Sequence, residues 1–270
     1  MVLITKGSGE KEEFDAEKIK RALLKSGATQ ENAEVVVQRV ESQLYSGIST
    51  KKIFQIAFSS LKKLQPHAAS RYDLRNAILR LGPAGYPFET FVARVMEEQG
   101  YSTSVHNILR GACVSHEVDV VASREGEKLM VECKFHNKTW IRCHVQTALY
   151  TYARFLDLVE GGNDFSAPML ATNTKFSDEV ISYGECKGMK LLGWSYPKES
   201  SLQKMIESKK LYPVTVLGSA DARTLEALLQ AKFVVLKDLL TASPKALAAA
   251  GLRQEKAIEL IAEARGVCSC

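Results

Sequence analysis

The chain has 270 residues, of which 46% are hydrophobic and 25% charged, a composition typical of globular proteins and not of disordered chains. Its net charge of +5 is compatible with a polyanionic partner without requiring one. The sequence lacks a run of 18 apolar residues, and residues 1–6 are too short and polar for a signal peptide. We therefore expect a cytoplasmic protein with no membrane partner.

The N-terminal segment, residues 1–82, begins with a predicted strand at residues 2–5 and continues as helices. Asp15 is placed to cap the first helix, and Gly27 to end it. Apolar residues then recur at helical spacing, which predicts three further helices. These helices lie near residues 30–45, 51–64 and 68–80. The proline- and glycine-rich stretch 81–87 stops the helical region, so we place a domain boundary between residues 82 and 83.

Two short motifs in this segment resemble the ATP-cone, a regulatory domain of ribonucleotide reductases and of nucleotide-sensing repressors. They are residues 4–19, ITKGSGEKEEFDAEKI, and residues 47–50, GIST. The resemblance implies an adenine nucleotide, ATP or dATP, as effector. The residues it implies as nucleotide ligands are Lys6, Glu12, Lys18 and Thr50. Lysines and a helix N-terminus are chemically suited to a triphosphate.

The motif departs from the ATP-cone pattern at two positions. Gly7 replaces the second member of a usual Lys-Arg pair, and Phe54 replaces a residue that is often ionisable. The loss of one phosphate-binding charge leaves two alternatives open. The segment either binds nucleotide, or keeps the fold without binding it and serves in oligomerisation.

The middle segment, residues 83–197, has the alternating helix and strand pattern of an α/β domain. Its predicted helices lie near residues 87–99, 143–160 and 177–187. Its predicted strands lie near residues 101–109, 116–123, 128–136, 169–172 and 189–194. The last strand–helix–strand order predicts a parallel pair joined by a crossover.

Three charged residues of this segment form a candidate catalytic set. Alternation along residues 128–136 places Glu132 and Lys134 on one face of a strand, about 7 Å apart. Asp119 lies on the preceding strand, and two carboxylates on adjacent strands can share Mg²⁺ while a lysine positions the attacking water. Spacing alone favours the alternative that these are solvated or paired surface charges. The apolar residues around Glu132 and Lys134 favour a functional cleft, because charges are costly in such a strand.

The order of motifs from residue 85 to residue 194 resembles the Mrr-like PD-(D/E)XK nucleases. The matching landmarks are FETFV at 88–92, EVDVV at 117–121, VECK at 131–134, Gln146, and the stretch from Thr172 to Trp194. The resemblance implies a restriction-endonuclease-like mixed sheet and Mg²⁺ or Mn²⁺ held by Asp119, Glu132 and the carbonyl of Cys133.

The resemblance also implies that Lys134 acts at the nucleophile and that Glu89 and Gln146 assist. A structural role for Glu89 and Gln146 is the alternative. Three nearby histidines are candidate phosphate contacts, and the alternative is that they have no role in the site. They are His116, His136 and His144.

Residues 198–210 read as a polar linker, and residues 211–270 as a small helical domain. Its predicted helices lie at residues 221–230, 235–241, 243–250 and 254–265. Residues 250–257 resemble a helix-hairpin-helix, a DNA-backbone-binding motif. The contacts it implies are Gly251, Arg253 and Lys256, followed by Lys232 and Lys237. A helical bundle for packing or self-association is the alternative.

Together these segments predict a multidomain α+β protein: an ATP-cone at 1–82, a nuclease domain at 83–197, a linker at 198–210 and a helical domain at 211–270. The predicted function is that of a nucleotide-responsive, Mg²⁺-dependent DNA endonuclease that hydrolyses phosphodiester bonds. The alternative is a nucleotide-gated DNA-binding regulator that does not cleave. Double-strand cutting with one site per chain is compatible with a homodimer. The sequence leaves open the structure of the DNA and the direction of the nucleotide effect.

Overall fold

The computed structural model of the protein describes residues 2–82 and 86–269, so part of the predicted break at 81–87 lies outside the described residues. The chain divides into two compact units. The first comprises Met1–Ala77, Val214–Ala227 and Asp238–Cys270, and the second comprises Ile78–Pro213 and Leu228–Lys237. Among the described helices, none is both long and apolar enough to cross a membrane.

The first unit begins with a small hairpin and a set of helices. Strand β1 (Leu3–Thr5) pairs antiparallel with β2 (Lys11–Glu13), which was not predicted. The helices are α1 (Ala16–Lys25), α2 (Gln30–Glu41), α3 (Thr50–Leu64), α4 (Pro66–Tyr72) and α5 (Leu74–Leu79). The single helix predicted at 68–80 is thus two helices that meet at Asp73.

Local sequence explains why these helices form and pack. The Asp15 carboxylate accepts hydrogen bonds from the backbone N–H groups of Glu17 and Lys18, at 2.9 and 3.3 Å, which confirms the predicted cap. The apolar residues at helical spacing are buried together in one core. Its fully buried members include Leu23, Ala33, Val36, Val40, Ala57 and Leu61.

The second unit is built on a five-stranded mixed sheet. Its elements in chain order are α6 (Tyr86–Glu97), β3 (Ser102–Arg110), β4 (Ser115–Arg124), β5 (Glu127–Lys134), β6 (Arg142–Cys143), α7 (Val145–Glu160), β7 (Ala167–Thr172), β8 (Lys175–Phe176), α8 (Asp178–Lys187), β9 (Lys190–Leu192) and α9 (Leu202–Lys209). The strand order is β3-β4-β5-β7-β9. The first three strands are antiparallel, and β7 and β9 continue in parallel, which confirms the predicted crossover.

Helices α6 and α7 pack on opposite faces of this sheet. Residues that alternate along β5 point to opposite faces. Phe135, just beyond the end of β5, contacts Phe88 of α6 at 5.5 Å between ring centroids. On the other face, Met130 packs with Leu158 of α7 in a buried cluster. Glu132 is two residues after Met130 on β5, so its side chain points to the same face of the sheet, the one that α7 covers.

The C-terminal region is helical, as predicted. Its helices are α10 (Ala222–Gln230), α11 (Leu236–Thr241), α12 (Pro244–Ala249) and α13 (Gln254–Cys268). Within the first unit, Arg71 of α4 donates hydrogen bonds to the carbonyls of Ser26 and Val267, which ties α13 to the N-terminal helices. Helix α9 occupies most of the segment predicted as a linker, and its Leu202 and Ile206 are buried.

Candidate active site

Asp119 and Glu132 lie side by side on strands β4 and β5. The antiparallel register pairs Val120 with Val131, which places Asp119 opposite Glu132 one residue further along. Oδ2 of Asp119 accepts a hydrogen bond of 2.7 Å from the backbone N–H of Cys133. The carboxylate of Asp119 is therefore fixed against the strand that carries Glu132.

Glu132 has a buried counter-ion, Arg154 of helix α7. Nη1 of Arg154 donates a hydrogen bond to Oε2 of Glu132, and their side chains are only 10% and 17% exposed. Nε of Arg154 is buried and has no hydrogen-bond partner in the part of the chain that the structure describes. The guanidinium carbon lies 5.3 Å from the ring centroid of Tyr150, one turn earlier on α7.

Sequence reasoning missed Arg154, although a signal was present. The buried face of α7 consists of Ala148, Thr151, Arg154 and Leu158. An arginine in such a stripe is unusual, because long charged side chains are rarely buried without a partner. Its position in the stripe was therefore evidence for a buried acid, which proves to be Glu132.

Glu89 and His106 form a second pair beside the carboxylates. Nδ1 of His106 lies 3.1 Å from Oε2 of Glu89, whose side chain is 13% exposed. The register of β3 and β4 pairs Val105 with Val120 and Asn107 with Val118, so His106 lies opposite Asp119. His106 has φ +55°, a left-handed conformation that costs energy for a residue other than glycine. Nothing in the sequence pattern marked His106 for this role.

The pKa values of the carboxyl groups in this cluster are raised above their ordinary values. Burial, together with the charge of Asp119, raises the pKa of Glu132 to about 7, although Arg154 and Lys134 oppose the shift. Burial and the charges of Asp119, Glu117 and Glu132 raise the pKa of Glu89 to about 7. Burial also raises the pKa of Asp119, against the hydrogen bond from Cys133. Exclusion of water is thus the main reason why these carboxyl groups resist ionisation, and their mutual repulsion adds to it.

Lys134 and its surroundings complete the predicted catalytic trio. Lys134 is exposed on the same face of β5 as Glu132, and its charge favours ionisation of that carboxyl. Its carbonyl accepts a hydrogen bond of 2.7 Å from Oγ1 of Thr172. The buried amide of Asn173 bonds both the N–H and the carbonyl of His136, at 2.8 and 2.7 Å. The end of β5 is therefore held rigidly by the neighbouring strand.

Gln146 takes no part in the contacts that join the other predicted residues. It is exposed on α7 and belongs to the same i, i+4, i+8 row as Tyr150 and Arg154. Its side chain makes no hydrogen bond to any described residue. The structure thus gathers Asp119, Glu132, Lys134 and Glu89, and leaves Gln146 on the rim.

The donor atoms present suit a hard divalent cation. Each carboxylate uses one oxygen within the protein, Oδ2 of Asp119 and Oε2 of Glu132. The other oxygens, Oδ1 and Oε1, accept no hydrogen bond from residues 2–82 or 86–269. Two carboxylates and the Cys133 carbonyl fit Mg²⁺, which keeps several waters. Among the described residues no three His, Cys, Asp or Glu side chains converge as a metal cluster, so protein ligation here would be partial.

His116 is engaged away from the carboxylates of the site. Its Nε2 lies 2.7 Å from Oδ2 of Asp157, near the end of α7. Asp157 also accepts hydrogen bonds from the N–H groups of Cys113 and Val114, at 2.8 and 3.4 Å. These bonds, that from Cys113 above all, lower the pKa of Asp157 to about 2. His116 therefore joins the β3–β4 hairpin to α7.

The two remaining histidines flank the end of β5. Burial, with the nearby charges of Lys134 and His144, lowers the pKa of His136. His144 is the residue before α7 and accepts the N–H of Thr147 through its carbonyl, at 3.0 Å. Their geometry assigns neither of them a contact with the carboxylates.

The predicted nucleotide ligands gather at the N-terminal hairpin. Nζ of Lys6 lies 2.8 Å from Oε2 of Glu12, and Nζ of Lys18 lies 3.9 Å from the same oxygen. Thr5 forms a parallel bridge with Ser49, which brings Thr50, the first residue of α3, next to this hairpin. The N-terminus of α3 therefore lies beside the strand that precedes Lys6, and Glu12 lies between Lys6 and Lys18.

Phe54, the second departure from the ATP-cone pattern, is part of an aromatic stack. Its ring lies 5.1 Å from that of Tyr72 and 5.9 Å from that of Phe58, nearly parallel to both. Burial raises the pKa of Tyr72 to about 12. The aromatic residue at position 54 thus contributes to packing rather than to charge.

The predicted DNA contacts at the C-terminus lie around the turn between α12 and α13. Gly251 has φ +80°, a conformation that favours glycine, and Arg253 is the exposed residue before α13. Lys256 donates hydrogen bonds to the carbonyl of Ser219, at 2.6 Å, and to Glu259, at 2.8 Å. Lys256 is therefore partly engaged by the protein itself.

The weaker predicted contacts, Lys237 and Lys232, differ in their surroundings. Lys237 forms an ion pair of 2.8 Å with Glu98. Lys232 has φ +64° in the turn after α10.

Comparison with known proteins gives the family of each region. Residues 2–78 match the ATP cone domain, residues 83–193 match the restriction endonuclease family of the Mrr catalytic type, and residues 212–268 match the AF1548-like C-terminal family. This order agrees with the order predicted from the sequence, and the α+β architecture agrees as well.

A relative and a solved structure cover most of this arrangement. An uncharacterized protein of Archaeoglobus fulgidus is 46% identical over 176 residues, which are 65% of this chain and 99% of that protein. A crystal structure titled as the protein of unknown function AF1548 is 44% identical, with a TM-score of 0.61, over 68% of this chain and 98% of that one. The chain therefore belongs to the family of the Archaeoglobus fulgidus protein, and combines an ATP cone domain, a restriction endonuclease domain and an AF1548-like C-terminal domain.

Proposed function

We propose that this protein is a divalent-metal-dependent DNA endonuclease whose activity responds to an adenine nucleotide. The observation that carries the proposal is the juxtaposition of Asp119 and Glu132, with Lys134 beside them on β5. Burial raises the pKa of both carboxyl groups, and the charge of Asp119 adds to the shift of Glu132. Partly buried carboxylates with perturbed pKa values, side by side on a nuclease fold, are typical of a functional site rather than of surface charge.

The residues of the chain would divide the work of phosphodiester hydrolysis. Asp119, Glu132 and the Cys133 carbonyl would hold Mg²⁺ or Mn²⁺, which when bound supplies Lewis-acid stabilisation of a phosphate. Lys134 would orient the attacking water and stabilise the charge that builds on the phosphate oxygens. The Cys133 N–H keeps the Asp119 carboxylate in place. Glu89 would accept a proton near the same centre, and Gln146 would contact the substrate.

The other two domains support the nucleotide and DNA parts of the proposal. Lys6, Lys18 and the N-terminus of α3 at Thr50 offer the chemistry that binds a triphosphate, and displacement of Glu12 from the lysines would accompany binding of ATP or dATP. The exposed backbone at Gly251 would bind a DNA phosphate. Arg253, at the start of α13, would contribute a positive charge to the same contact. A homodimer would supply one active site for each strand of a duplex.

A cleavage assay with matched variants tests the assignment. Plasmid DNA is incubated with the wild-type protein in Mg²⁺ or Mn²⁺, with and without ATP, and in parallel with Asp119→Ala and Lys134→Ala. Exposed residues of the same domain, Asp178→Ala and Lys175→Ala, serve as controls for loss of charge. We expect cleavage by the wild type and both controls and none by the first two variants. Equal cleavage by all five proteins would contradict the assignment and indicate a contaminating nuclease.

The alternative is a nucleotide-gated DNA-binding regulator on the same fold, because a fold does not establish its chemistry. It predicts no cleavage with any divalent metal, nucleotide or DNA structure. It also predicts DNA binding that a metal chelator leaves unchanged. The retention of all three charged residues in one cluster favours the nuclease.

A further inference from the structure

Three large aromatic side chains of the nuclease domain are exposed to solvent. Tyr86 is 57% exposed, Trp140 51% and Tyr150 61%. Exposed aromatic surface of this size is unfavourable in water unless a partner covers it. The three rings are alike in a second respect, because each contacts a lysine, arginine or histidine side chain.

Two of the rings each contact a residue that itself contacts a carboxylate of the site. Tyr150 lies against the guanidinium of Arg154, and the same guanidinium donates to Glu132. Tyr86 packs edge-on against the ring of His106, at 4.8 Å between centroids, and His106 pairs with Glu89. Tyr150 is therefore linked to the candidate active site through Arg154, and Tyr86 is linked to it through His106.

The third ring follows Lys134 in the chain. Trp140 lies in the segment between β5 and β6, and Nζ of Lys138 lies 5.6 Å from its ring centroid. This segment is anchored at both ends: Asn173 holds the backbone of His136, and Arg142 pairs with Lys175 in the short parallel sheet. Trp140 is thus carried by a fixed loop only six residues beyond Lys134.

The combination of exposed rings and cations suits nucleobases with their phosphates. Bases stack on aromatic side chains, and nearby lysine or arginine side chains attract the backbone. In an intact duplex the faces of the bases are already stacked on each other and only their edges are open. Rings beside a cutting site can stack only with bases that have left the duplex.

We propose that the rings of Tyr86, Trp140 and Tyr150 bind a strand of DNA with unpaired bases, so that the substrate class is single-stranded or locally unpaired DNA rather than intact duplex. This inference rests on the proposed function, because the strand would be held at the carboxylates that cut it. The negative backbone complements the exposed Lys134 and Lys138, which a neutral apolar partner would not use.

Binding measurements in a metal chelator test the inference without cleavage. The full chain is titrated by fluorescence anisotropy into labelled single strand, forked duplex and blunt duplex of one sequence. We expect the single strand and the fork to bind about tenfold more tightly than the blunt duplex, in keeping with a few stacked bases. Equal affinity for the three DNAs, or tighter binding of the blunt duplex, would overturn the inference.

Variants separate stacking from general effects. Trp140→Ala and Tyr150→Ala should each weaken single-strand binding by about tenfold, and should leave blunt-duplex binding within about twofold. Trp140→Phe and Tyr150→Phe keep a ring and should retain most of the affinity. Tyr45→Ala, which removes a tyrosine that is 59% exposed in the other unit, is the matched control. An equal loss on single strand and blunt duplex would contradict stacking.

The chain contains a built-in spectroscopic reporter. Of its two tryptophans, Trp140 is exposed, whereas Trp194 is only 6% exposed and reports on the fold. Single-stranded DNA should quench the tryptophan emission of the wild type and leave that of Trp140→Phe unchanged. Quenching that persists in Trp140→Phe would overturn the role of this ring.

The outcomes distinguish this inference from the proposed function. Ring-dependent binding of single strands without cleavage in any divalent metal would support the inference and contradict the nuclease. Cleavage that prefers blunt duplex and is insensitive to the three rings would support the nuclease and overturn the inference.

Discussion

Arg154 donates a hydrogen bond to Oε2 of Glu132, and both side chains are almost fully buried. The guanidinium is the nearest positive partner of a carboxyl whose pKa is raised to about 7 by burial and by Asp119. Without Arg154, Glu132 would hold its proton still more tightly. The pair therefore keeps a candidate metal ligand closer to its ionised form.

Replacement of Arg154 should shift the pH dependence of cleavage. In Arg154→Gln, the pKa of Glu132 should rise further, so the acid limb of the rate profile should move to higher pH by about one unit or more. Cleavage rates measured across pH at fixed Mg²⁺ check this. The exposed Arg110→Gln on β3 should keep the wild-type profile. A profile that does not move in Arg154→Gln would contradict the role of the pair.

Glu89→Gln should make the metal-free protein more stable at alkaline pH. The pKa of Glu89 is about 7 in the folded protein, against an ordinary 4.5, so the folded state binds more protons between these values. Its contribution to stability therefore falls as pH rises from about 4.5 to about 7. At about pH 8 the variant should gain on the order of 1–3 kcal/mol in free energy of unfolding.

The control for this prediction is the same comparison in acid. Below the ordinary pKa of 4.5, residue 89 is neutral in the folded and in the unfolded protein whether it is Glu or Gln, and the urea midpoints should coincide. A variant that is destabilised at alkaline pH would show that the His106 contact outweighs the burial of charge. Cleavage by Glu89→Gln, measured alongside, should fall if Glu89 assists the reaction.

Asp157→Asn should loosen the β3–β4 hairpin. The pKa of Asp157 is lowered to about 2 from 3.8, so this carboxylate stabilises the fold above about pH 3.8 and loses that effect as pH falls through about 2. The urea midpoint of the variant should be lower than that of the wild type at neutral pH, and the difference should shrink in acid. Hydrogen exchange should increase at Cys113 and Val114, whose N–H groups bond Asp157.

Glu160→Gln, an exposed carboxyl at the end of the same helix, is the control for Asp157. It should leave both the urea midpoint and the exchange of the hairpin unchanged. A difference between Asp157→Asn and the wild type that persists undiminished near pH 2 would show that ionisation of Asp157 is not its source.

Lys18→Ala should abolish the response to nucleotide. A ligand that binds only the folded protein stabilises it, by about 2.7 kcal/mol at a hundred times its dissociation constant. ATP or dATP should therefore raise the melting temperature of the wild type and of Lys11→Ala, which removes an exposed lysine of β2. It should leave that of Lys18→Ala unchanged. An unchanged melting temperature of the wild type would indicate that the ATP-cone domain serves only in oligomerisation.

Apolar periodicity along the chain predicted many of the strands and helices. The alternation around Glu132 and Lys134 assigned both to one strand face, and the structure confirms that strand and its parallel neighbour. Helices were predicted because their buried faces recur at helical spacing, as in α2 and α3. The break at Asp73 was missed because apolar periodicity continues on both sides of it. Strand β2 was missed because three charged residues carry no apolar alternation.

The site itself depended on contacts that the sequence does not display. Arg154 is 22 residues from Glu132, and only the packing of α7 on the sheet brings them together. His106 adopts φ +55° opposite Asp119, which no residue preference would predict. Likewise, Asp157 meets the Cys113 N–H only because the β3–β4 hairpin folds onto the end of α7.

What the sequence determined by itself is the set of chemical groups, their order in three domains, and the face of the strand that carries Glu132 and Lys134. These follow from composition, motif order and short-range periodicity, which depend on neighbours along the chain. Only the tertiary structure decided how the carboxyls are charged. Burial and the distances to Arg154, His106 and Asp119 set their pKa values, because electrostatic energy depends on separation in space and on exclusion of water.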